Sequence, residues 1–400
     1  MDARANPTVL ISGAGVAGPT LAYWLARYGF RPTVVERAAG LRSSGSPVDV
    51  RGPAVAIAER MGVMQRLRRA RTDAIAMSFV NRSGRQVGRA NTRALQRATD
   101  SREVELPRTD LAAILHEASR DSGDYVFGDT VTALTQDGDG VDVTFEKAAP
   151  RRFDLVIGAD GLHSAIRRLA FGPESEFVHH QGIYVATMQL NAPAEDTRAV
   201  VIHNAPGRMV AIHPVRGHAM AAFIFRHPAV VGIGHGDIEQ HKRLVTDVYA
   251  GDGWRLPELL DRVRAADDLW LDSVSQVRMD RWANGRVALV GDAASSVSLF
   301  GDGSTLAIAG AHTLAEELAA TRTDPRPAFA RYEVRHRTLV DPRQGSIAIA
   351  AALMVPATRT GIAARNLASR LWPAAAAAGW LRKQIVPRRS RASRGPAGRW

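Results

Sequence analysis

Cysteine is absent from the 400-residue sequence. Its absence excludes thiol catalysis, cysteine-ligated zinc, iron–sulfur clusters and disulfide bonds. No apolar run approaches the roughly 18 residues that a membrane span needs, since the longest candidate extends only from Ile347 to Val355. The N-terminal residues lack a signal-peptide pattern, so the sequence predicts a cytoplasmic protein. Adjacent His179 and His180 would point to opposite faces of a strand, and no metal site is expected.

Lysine is nearly absent too. Of the 52 basic residues only Lys147, Lys242 and Lys383 are lysines. The arginine bias and the net charge of +12 indicate a GC-rich coding genome and no nucleic-acid partner, because the basic residues are spread along the chain. The exception is the segment 386–400, which is predicted to be a disordered basic tail. It is either simply solvated or in weak contact with an anionic membrane surface.

What the sequence does contain is a β–α–β pattern near its start. A short apolar run precedes Gly13, Gly15 and Gly18, a helical pattern follows, and a second strand ends at Glu36. The first glycine allows a tight turn, the second lets a pyrophosphate approach the backbone, and the third lets helix and strand pack closely. Glu36 would accept hydrogen bonds from a ribose, which favours FAD or NAD over NADP at this site.

Two later segments, 154–158 and 286–291, have the pattern of buried strands that end in an Asp beside a Gly. Between them, apolar residues alternate over 183–225, which predicts an antiparallel sheet with one solvent-exposed face. The segment 76–87, with a turn at Ser83-Gly84, predicts a hairpin beside that sheet. The fold class is therefore α/β, with a parallel sheet assembled from distant parts of the chain.

Three segments carry a family resemblance. Residues 154–167 (DLVIGADGLHSAIR) resemble the "DG" motif of flavoprotein monooxygenases of the para-hydroxybenzoate hydroxylase type, residues 286–294 (RVALVGDAA) resemble the "GD" motif, and residues 107–111 (PRTDL) resemble the Arg-x-x-Leu element. With the glycine-rich turn, they follow the family's order and spacing over most of residues 7–340. The chain is thus similar to class A FAD-dependent monooxygenases, especially the short tetracycline-inactivating and salicylate-hydroxylase-like members.

The resemblance implies a Rossmann-like FAD-binding domain with an inserted antiparallel β-sheet substrate domain and C-terminal helices. The expected division is an FAD-binding domain at 1–72, 98–175 and 278–340, a hairpin packed on the substrate domain at 73–97, the substrate domain at 176–277, C-terminal helices at 341–385, and the basic tail at 386–400.

The resemblance also implies residue roles. Asp292 would accept hydrogen bonds from the ribityl chain of FAD, and Arg108 would lie near the ribityl and pyrophosphate groups. Asp160 would support the cofactor, with a helix N-cap as the alternative. The backbone around Gly303 would face the pyrimidine edge of the isoalloxazine. The full set of predicted cofactor-binding residues is Gly13, Gly15, Val16, Ala17, Gly18, Glu36, Arg37, Arg108, Asp160, Asp292, Gly303, Ser304 and Thr305.

Because the flavin carries the chemistry in this family, catalytic side chains are candidates only. Arg51 would contact substrate or flavin, or form a structural ion pair. His213 would hold or deprotonate a phenol, or be an ordinary hydrogen-bonded histidine. Phe300 would touch substrate from the loop 295–301, which departs from the family pattern in lacking proline. The candidate substrate residues, each with a core role as the alternative, are Met188, His203, Met209, Phe223 and Phe225.

The implied function is an FAD-dependent monooxygenase with NADPH or NADH as a transient reductant, since a second dinucleotide fingerprint is missing. Such an enzyme transfers one oxygen atom of O2 through a C4a-hydroperoxyflavin to an aromatic or polyketide-like small molecule, in secondary metabolism such as antibiotic biosynthesis. The alternatives are a reductase of a prenyl-type or other hydrophobic substrate, a flavin-dependent halogenase, and a non-catalytic flavin- or DNA-binding protein. The oligomeric state stays open between monomer and dimer.

Overall fold

A computed structural model describes residues 6–41, 47–91, 102–215, 217–230, 237–297, 302–321 and 324–368. The strands are β1 (Thr8–Ser12), β2 (Arg31–Glu36), β3 (Val48–Val50), β4 (Ala76–Val80), β5 (Gln86–Ala90), β6 (Val104–Leu106), β7 (Asp124–Phe127), β8 (Val131–Gln136), β9 (Val141–Phe145), β10 (Arg151–Phe153), β11 (Leu155–Gly158), β12 (Val178–Gln189), β13 (Ala199–Ala205), β14 (Arg208–Val215), β15 (His218–Arg226), β16 (Trp270–Val277), β17 (Ala283–Asn284) and β18 (Val287–Leu289). The helices are α1 (Ala17–Arg27), α2 (Pro53–Arg60), α3 (Met64–Arg69), α4 (Arg108–Ser119), α5 (Ala165–Ala170), α6 (Ile238–Tyr249), α7 (Leu256–Ala265), α8 (Asp292–Ser295), α9 (Asp302–Ala320), α10 (Pro325–Gly345), α11 (Ile347–Met354) and α12 (Arg359–Ala368).

A six-stranded sheet in the order β17-β18-β11-β1-β2-β7 forms the first layer of the fold. β1 lies parallel to both β2 and β11, and β11 lies parallel to β18. These central strands are apolar and almost wholly buried, as a parallel sheet requires when both of its faces are covered. The predicted α/β fold class is confirmed, and the carboxyl ends of strands from distant parts of the chain meet at one edge.

A seven-stranded sheet in the order β16-β12-β15-β14-β13-β4-β5 forms the second large layer. Its neighbouring strands are antiparallel except for β4 and β13, which are parallel. The hairpin predicted around Ser83-Gly84 forms as β4 and β5, with Gly84 at a φ of 80°. The hairpin therefore extends this sheet and is not a separate element packed on it.

Both faces of the seven-stranded sheet are covered, so the prediction of one solvent-exposed face is wrong. On the outer face, helices α6 and α7 bury Tyr249 and Leu259 against the strands. The inner face turns towards the parallel sheet, and Ile183 and Val274 on it join the core of that layer. Since both faces are apolar, the alternating pattern does not reveal which of them borders a ligand site.

This arrangement corrects four of the five predicted substrate residues. Met188, Phe223 and Phe225 are 4%, 0% and 0% exposed in the outer-face cluster beneath α6 and α7. The strand register places His203 opposite Val210 of the same cluster. Met188, Phe223 and Phe225 fill the outer core, so they are not available to line a pocket on the inner face. His203 is 5% exposed and lies beside the Trp254 ring at the edge of this core, where it lines a depression next to α12.

Met209 is the fifth candidate and lies on the inner face. The register sets it opposite Ile224, which packs against the inner core. Met209 is buried in a small cluster with Val355, which follows helix α11. Its side chain is therefore covered by the C-terminal part of the chain.

The C-terminal helices pack on both layers. Helix α10 runs through the domain boundary predicted at residue 340, and α11 buries Ile347 while Ile349 and Leu353 remain exposed. Within the described ranges no single helix meets the length and hydropathy of a membrane span, although α11 and α12 together would, as a pair bent by 95°. The predicted tail at 386–400 lies outside the described residues.

We expect Phe223→Ala to lower the free energy of unfolding by about 3 kcal/mol or more, because it leaves a cavity in the outer core. Phe223→Leu keeps most of the volume and should cost clearly less. Chemical denaturation of the FAD-loaded variants measures both values. A large rise in the KM for substrate in Phe223→Leu, at unchanged stability, would contradict the core assignment.

Candidate cofactor and substrate site

The glycine-rich turn between β1 and α1 is fixed by close backbone contacts. A Cβ on Gly13, whose φ is 107°, would lie 2.5 Å from the carbonyl oxygen of Ala159, and one on Gly18 would lie 1.9 Å from the carbonyl oxygen of Gly13. A Cβ on Gly15 would meet no atom within 4 Å. Two of the glycines therefore serve packing, and the third leaves the backbone accessible from outside at the start of α1.

The carboxylate of Glu36, at the end of β2, closes the other side of this turn. It accepts hydrogen bonds from the backbone N–H groups of Ala14 at 2.8 Å and Ala38 at 2.9 Å. Each oxygen keeps a lone pair for a further donor, as two ribose hydroxyls would require. The adjacent Arg37 is exposed, whereas Val16 and Ala17 are buried at the start of α1.

Asp160 of the DG segment binds protein groups, but it is not the helix N-cap that was its alternative, since that position is held by Ser164. Its carboxylate accepts hydrogen bonds from Ser12 Oγ at 3.3 Å, Ser164 Oγ at 2.5 Å and the Ile166 N–H at 3.1 Å. Ser164 itself caps α5 by accepting from the Arg167 N–H. Asp160 therefore joins the end of β1 to the start of α5 and acts on the cofactor through these elements.

Arg167 connects the DG and GD segments. It is the last residue of the DG motif, and the sequence predicts no role for it. Its guanidinium is fully buried and donates to the carbonyl oxygens of Ala293 at 3.0 Å and Leu162 at 2.6 Å. Glu174 lies 3.6 Å away as its counter-ion. A buried arginine is costly without such partners, so Arg167 fixes the position of the loop that carries Asp292.

Asp292 and Arg108 lie together at the carboxyl edge of the parallel sheet. Burial raises the pKa of Asp292, while the positive charge of Arg108 acts in the opposite direction. A Cβ on Gly303 would lie 3.7 Å from Asp292 Oδ1. The carboxylate is thus held between α4 and the start of α9 as an acceptor for hydroxyl groups.

The start of α9 is tied to β3 by side-chain hydroxyls. Ser304 and Thr305 donate to the carbonyl oxygen of Asp49, at 2.6 Å and 3.1 Å, and the Arg51 N–H donates to Thr305 Oγ1. The Arg51 guanidinium forms an ion pair with Asp302 at 2.8 Å. A structural ion pair was the alternative to the predicted contact of Arg51 with substrate or flavin. Residues 298–301, among them the candidate Phe300, lie outside the described residues.

Two half-buried carboxyl groups, those of Asp49 and Glu105, lie beside this connection, opposite each other on β3 and β6. Burial raises the pKa of Asp49 to about 6, although Arg51 lowers it, and Glu103 and Asp302 add repulsion. Burial and the charge of Asp49 raise the pKa of Glu105 to about 7. The sequence alone does not predict this pair, because strand pairing between residues far apart in the chain brings the two acids together.

His163 links the two layers of the fold. Its Nδ1 lies 2.9 Å from Glu174 Oε1, and its Nε2 lies 3.5 Å from Asp272 Oδ1 on β16. Burial disfavours the charged ring, but these two carboxylates outweigh that effect and raise the pKa of His163 to about 9. The imidazolium therefore bridges the DG segment and the seven-stranded sheet at neutral pH.

The inner face of the seven-stranded sheet carries three buried polar atoms that no described residue satisfies: Thr187 Oγ1, His213 Nδ1 and, opposite Met209, Asn204 Oδ1. Burial lowers the pKa of His213 to about 4, so the ring is neutral at physiological pH. Such a weak base does not deprotonate a phenol near neutrality. The prediction for His213 is therefore revised to holding a polar group.

These features fit FAD. The accessible backbone at Gly15 precedes a helix N-terminus, where a pyrophosphate binds well. Glu36 has acceptor capacity left, and within the described residues nothing donates a hydrogen bond to the Asp292 carboxylate. In the part of the chain that the structure describes, no cluster of His, Asp and Glu could hold a metal ion.

Comparisons with known proteins agree with this assignment. The family described as "FAD binding domain" matches residues 6–333. A flavin-dependent monooxygenase of Legionella longbeachae is 35% identical over 342 residues, which cover 85% of this chain and 87% of the relative. This chain belongs to the FAD-dependent monooxygenases.

Two further relatives extend the comparison. An uncharacterized protein of Mycobacterium tuberculosis is 41% identical to this monooxygenase over 341 residues, which cover 84% of this chain and 91% of the relative. The crystal structure of the tetracycline destructase Tet(55) superimposes with a TM-score of 0.79 at 31% identity, covering 92% of this chain and 95% of that chain. The resident cofactor of the monooxygenase is FAD.

Gly15→Ala should leave the FAD-free protein as stable as the wild type, since its Cβ meets no protein atom. The methyl group would occupy the approach to the helix N-terminus and weaken FAD binding by about tenfold or more. Gly18→Ala is the matched comparison, because its Cβ overlaps backbone and should destabilise the fold. FAD titration and thermal unfolding separate the two, and equal loss of apoprotein stability in both variants would refute the assignment.

The His163 bridge predicts a pH dependence of stability. Because the pKa of His163 is raised from 6.5 to about 9 in the folded protein, its contribution is fully present below about pH 6.5 and is lost as the pH rises through 9. We expect wild type to be more stable than His163→Asn at pH 6, with the difference shrinking towards pH 10. Urea unfolding across this range measures it; a pH-independent difference would show that the charge does not matter.

Proposed function

We propose that this monooxygenase uses O2 and NADPH or NADH to hydroxylate a flat, largely apolar polycyclic molecule of the aromatic or polyketide class. The observation that carries the proposal is the inner face of the seven-stranded sheet. It is an apolar wall interrupted by the unpartnered atoms Thr187 Oγ1 and His213 Nδ1. A tetracycline destructase among the solved relatives supports the class, because tetracyclines are polycyclic polyketides.

The wall is apolar between the two polar atoms. The register sets Thr187 opposite Ala222, and Ala222 opposite Ala211, two residues before His213 on β14. A buried polar atom without a partner costs roughly 1–3 kcal/mol. A substrate with oxygen substituents on an apolar ring system would recover this cost at Thr187 and His213, while Ala211 and Ala222 stay in the buried cluster with Met209 and Val355.

The chain's own task is to bind, orient and enclose the reactants. FAD, when bound, supplies the redox chemistry that activates O2. Asp292, Arg108 and Glu36 would hold its hydroxyl-bearing parts, and the Ser304–Asp49 contact fixes the start of α9 against β3. Water exclusion by the buried inner face would protect the reactive state. The sequence contains one dinucleotide fingerprint, so the nicotinamide reductant would bind transiently.

The test is oxidation of NADPH and of NADH by the FAD-loaded protein in air, with a panel of polycyclic polyketides and phenols. A compound that accelerates the oxidation and yields a product with one additional oxygen atom is the expected result. Turnover that persists without O2 and saturates a double bond would favour the reductase alternative instead. Chloride-dependent turnover with a halogenated product would favour the halogenase.

Thr187→Val and His213→Gln should each raise the KM for the accepted substrate, by about tenfold where a substrate hydrogen bond is lost, with smaller changes in kcat. Because the pKa of His213 is lowered to about 4, the pH profile of kcat/KM should show no ionisation of this residue between pH 6 and 8. Steady-state kinetics of both variants across this range provide the measurement. A wild-type step near pH 6.5 that disappears in His213→Gln would contradict a holding role.

A further inference from the structure

A ligand-sized depression, lined by none of the predicted cofactor-binding residues, lies at the far edge of the seven-stranded sheet. It has a volume of about 510 Å³ and separates α12 from the ends of β4, β5, β13 and β14. We call it the arginine cleft, since Arg82, Arg359 and Arg365 line it together with Phe79 and Asn204. Its volume falls in the range of small-molecule sites, roughly 300–1,000 Å³.

The positive charge of the arginine cleft is not balanced within it. Asp252 is the carboxylate in its lining, and both of its oxygens are engaged by Arg208 at 2.5 Å and 2.6 Å. Arg82 donates to the carbonyl oxygen of Gly251. Among the described residues no carboxylate forms an ion pair with Arg82, Arg359 or Arg365, so the cleft carries an excess of positive charge.

The excess of positive charge in the cleft is seen most clearly at Arg365. Its guanidinium carbon lies 4.4 Å from the centre of the Phe79 ring, and its N–H groups donate to Asn366 Oδ1. Burial without a compensating carboxylate lowers the pKa of Arg365 to about 10. A planar cation held half-buried over an aromatic ring is a preformed partner for a planar anion.

Asn204 adds a second unsatisfied group. Its Nδ2 donates to the Met354 carbonyl oxygen at 3.2 Å, while its Oδ1 is buried and accepts no hydrogen bond from a described residue. The cleft thus offers cationic donors, an aromatic and aliphatic floor, and one free acceptor. This combination selects a ligand with an anionic group, a flat apolar body and an O–H or N–H donor.

We propose that the arginine cleft binds an aromatic anion, a ring carrying a carboxylate or a phosphate monoester, at a site separate from the FAD and substrate site. The anionic group would pair with Arg365 and Arg359, the ring would lie against Phe79 and Ile362, and a hydroxyl substituent would donate to Asn204 Oδ1. This site does not depend on the proposed hydroxylation reaction.

The test is calorimetric titration of the FAD-loaded protein with salicylate, phenyl phosphate, inorganic phosphate and the uncharged benzamide, with the flavin absorbance recorded in parallel. We expect salicylate and phenyl phosphate to bind without changing the flavin spectrum, and more weakly at high salt. Benzamide and inorganic phosphate should bind at least about tenfold more weakly.

Arg365→Met should weaken this binding by about tenfold or more, since it removes the guanidinium but keeps an apolar stem over Phe79. Arg359→Gln, at an exposed position, is the second variant in case Arg365→Met does not fold. Arg326→Gln is the matched control, because Arg326 is an exposed arginine outside the cleft.

The absence of binding would overturn the proposal. So would binding that perturbs the flavin spectrum and survives in both cleft variants, because that result would place the anion at the flavin. Equal affinity for inorganic phosphate and phenyl phosphate would overturn the aromatic part of the assignment.

Discussion

The close backbone approach at the carboxyl edge of the parallel sheet is the constraint on which the rest of the structure depends. Gly13 and Gly18 let β1, α1 and the end of β11 approach to distances that exclude any side chain. The N–H groups at the start of α1 are thereby directed at the sheet edge, where they favour an anionic ligand. The two other cofactor segments, which carry Asp160 and Asp292, are aligned to the same edge.

The alignment is maintained by buried polar side chains that bind protein groups. Asp160 joins β1 to α5, Arg167 joins α5 to the loop of Asp292, and the hydroxyls of Ser304 and Thr305 join α9 to β3. Each of these groups would be costly to bury without a partner. The Asp292 carboxylate and Thr187 Oγ1 have no described protein partner; the first lies in the GD segment and the second on the inner face of the seven-stranded sheet.

The two layers of the monooxygenase depend on each other. The seven-stranded sheet forms its own core on the outer face, under α6 and α7, and its inner face shares the core of the parallel-sheet layer through Ile183, Val274 and Val277. His163 adds a charged contact between them, from the DG segment to Asp272 on β16. The same contact region includes Val185 and Ile224, which are half-buried on the inner face. The cofactor segments and the inner face of the seven-stranded sheet are therefore positioned by one shared interface.

The sequence by itself determined the α/β class, the FAD family and the local motifs, because glycine spacing, strand ends and the DG and GD segments encode contacts within a few residues. It also determined that Glu36 ends β2 beside the glycine-rich turn. Only the tertiary structure decided that α6 and α7 cover the outer face of the seven-stranded sheet, since the alternating pattern makes both faces equally apolar. For that reason Met188, Phe223 and Phe225 lie in the outer core, while the Asp49–Glu105 pair and the His163 bridge arise from strand pairing and layer packing between residues distant in sequence.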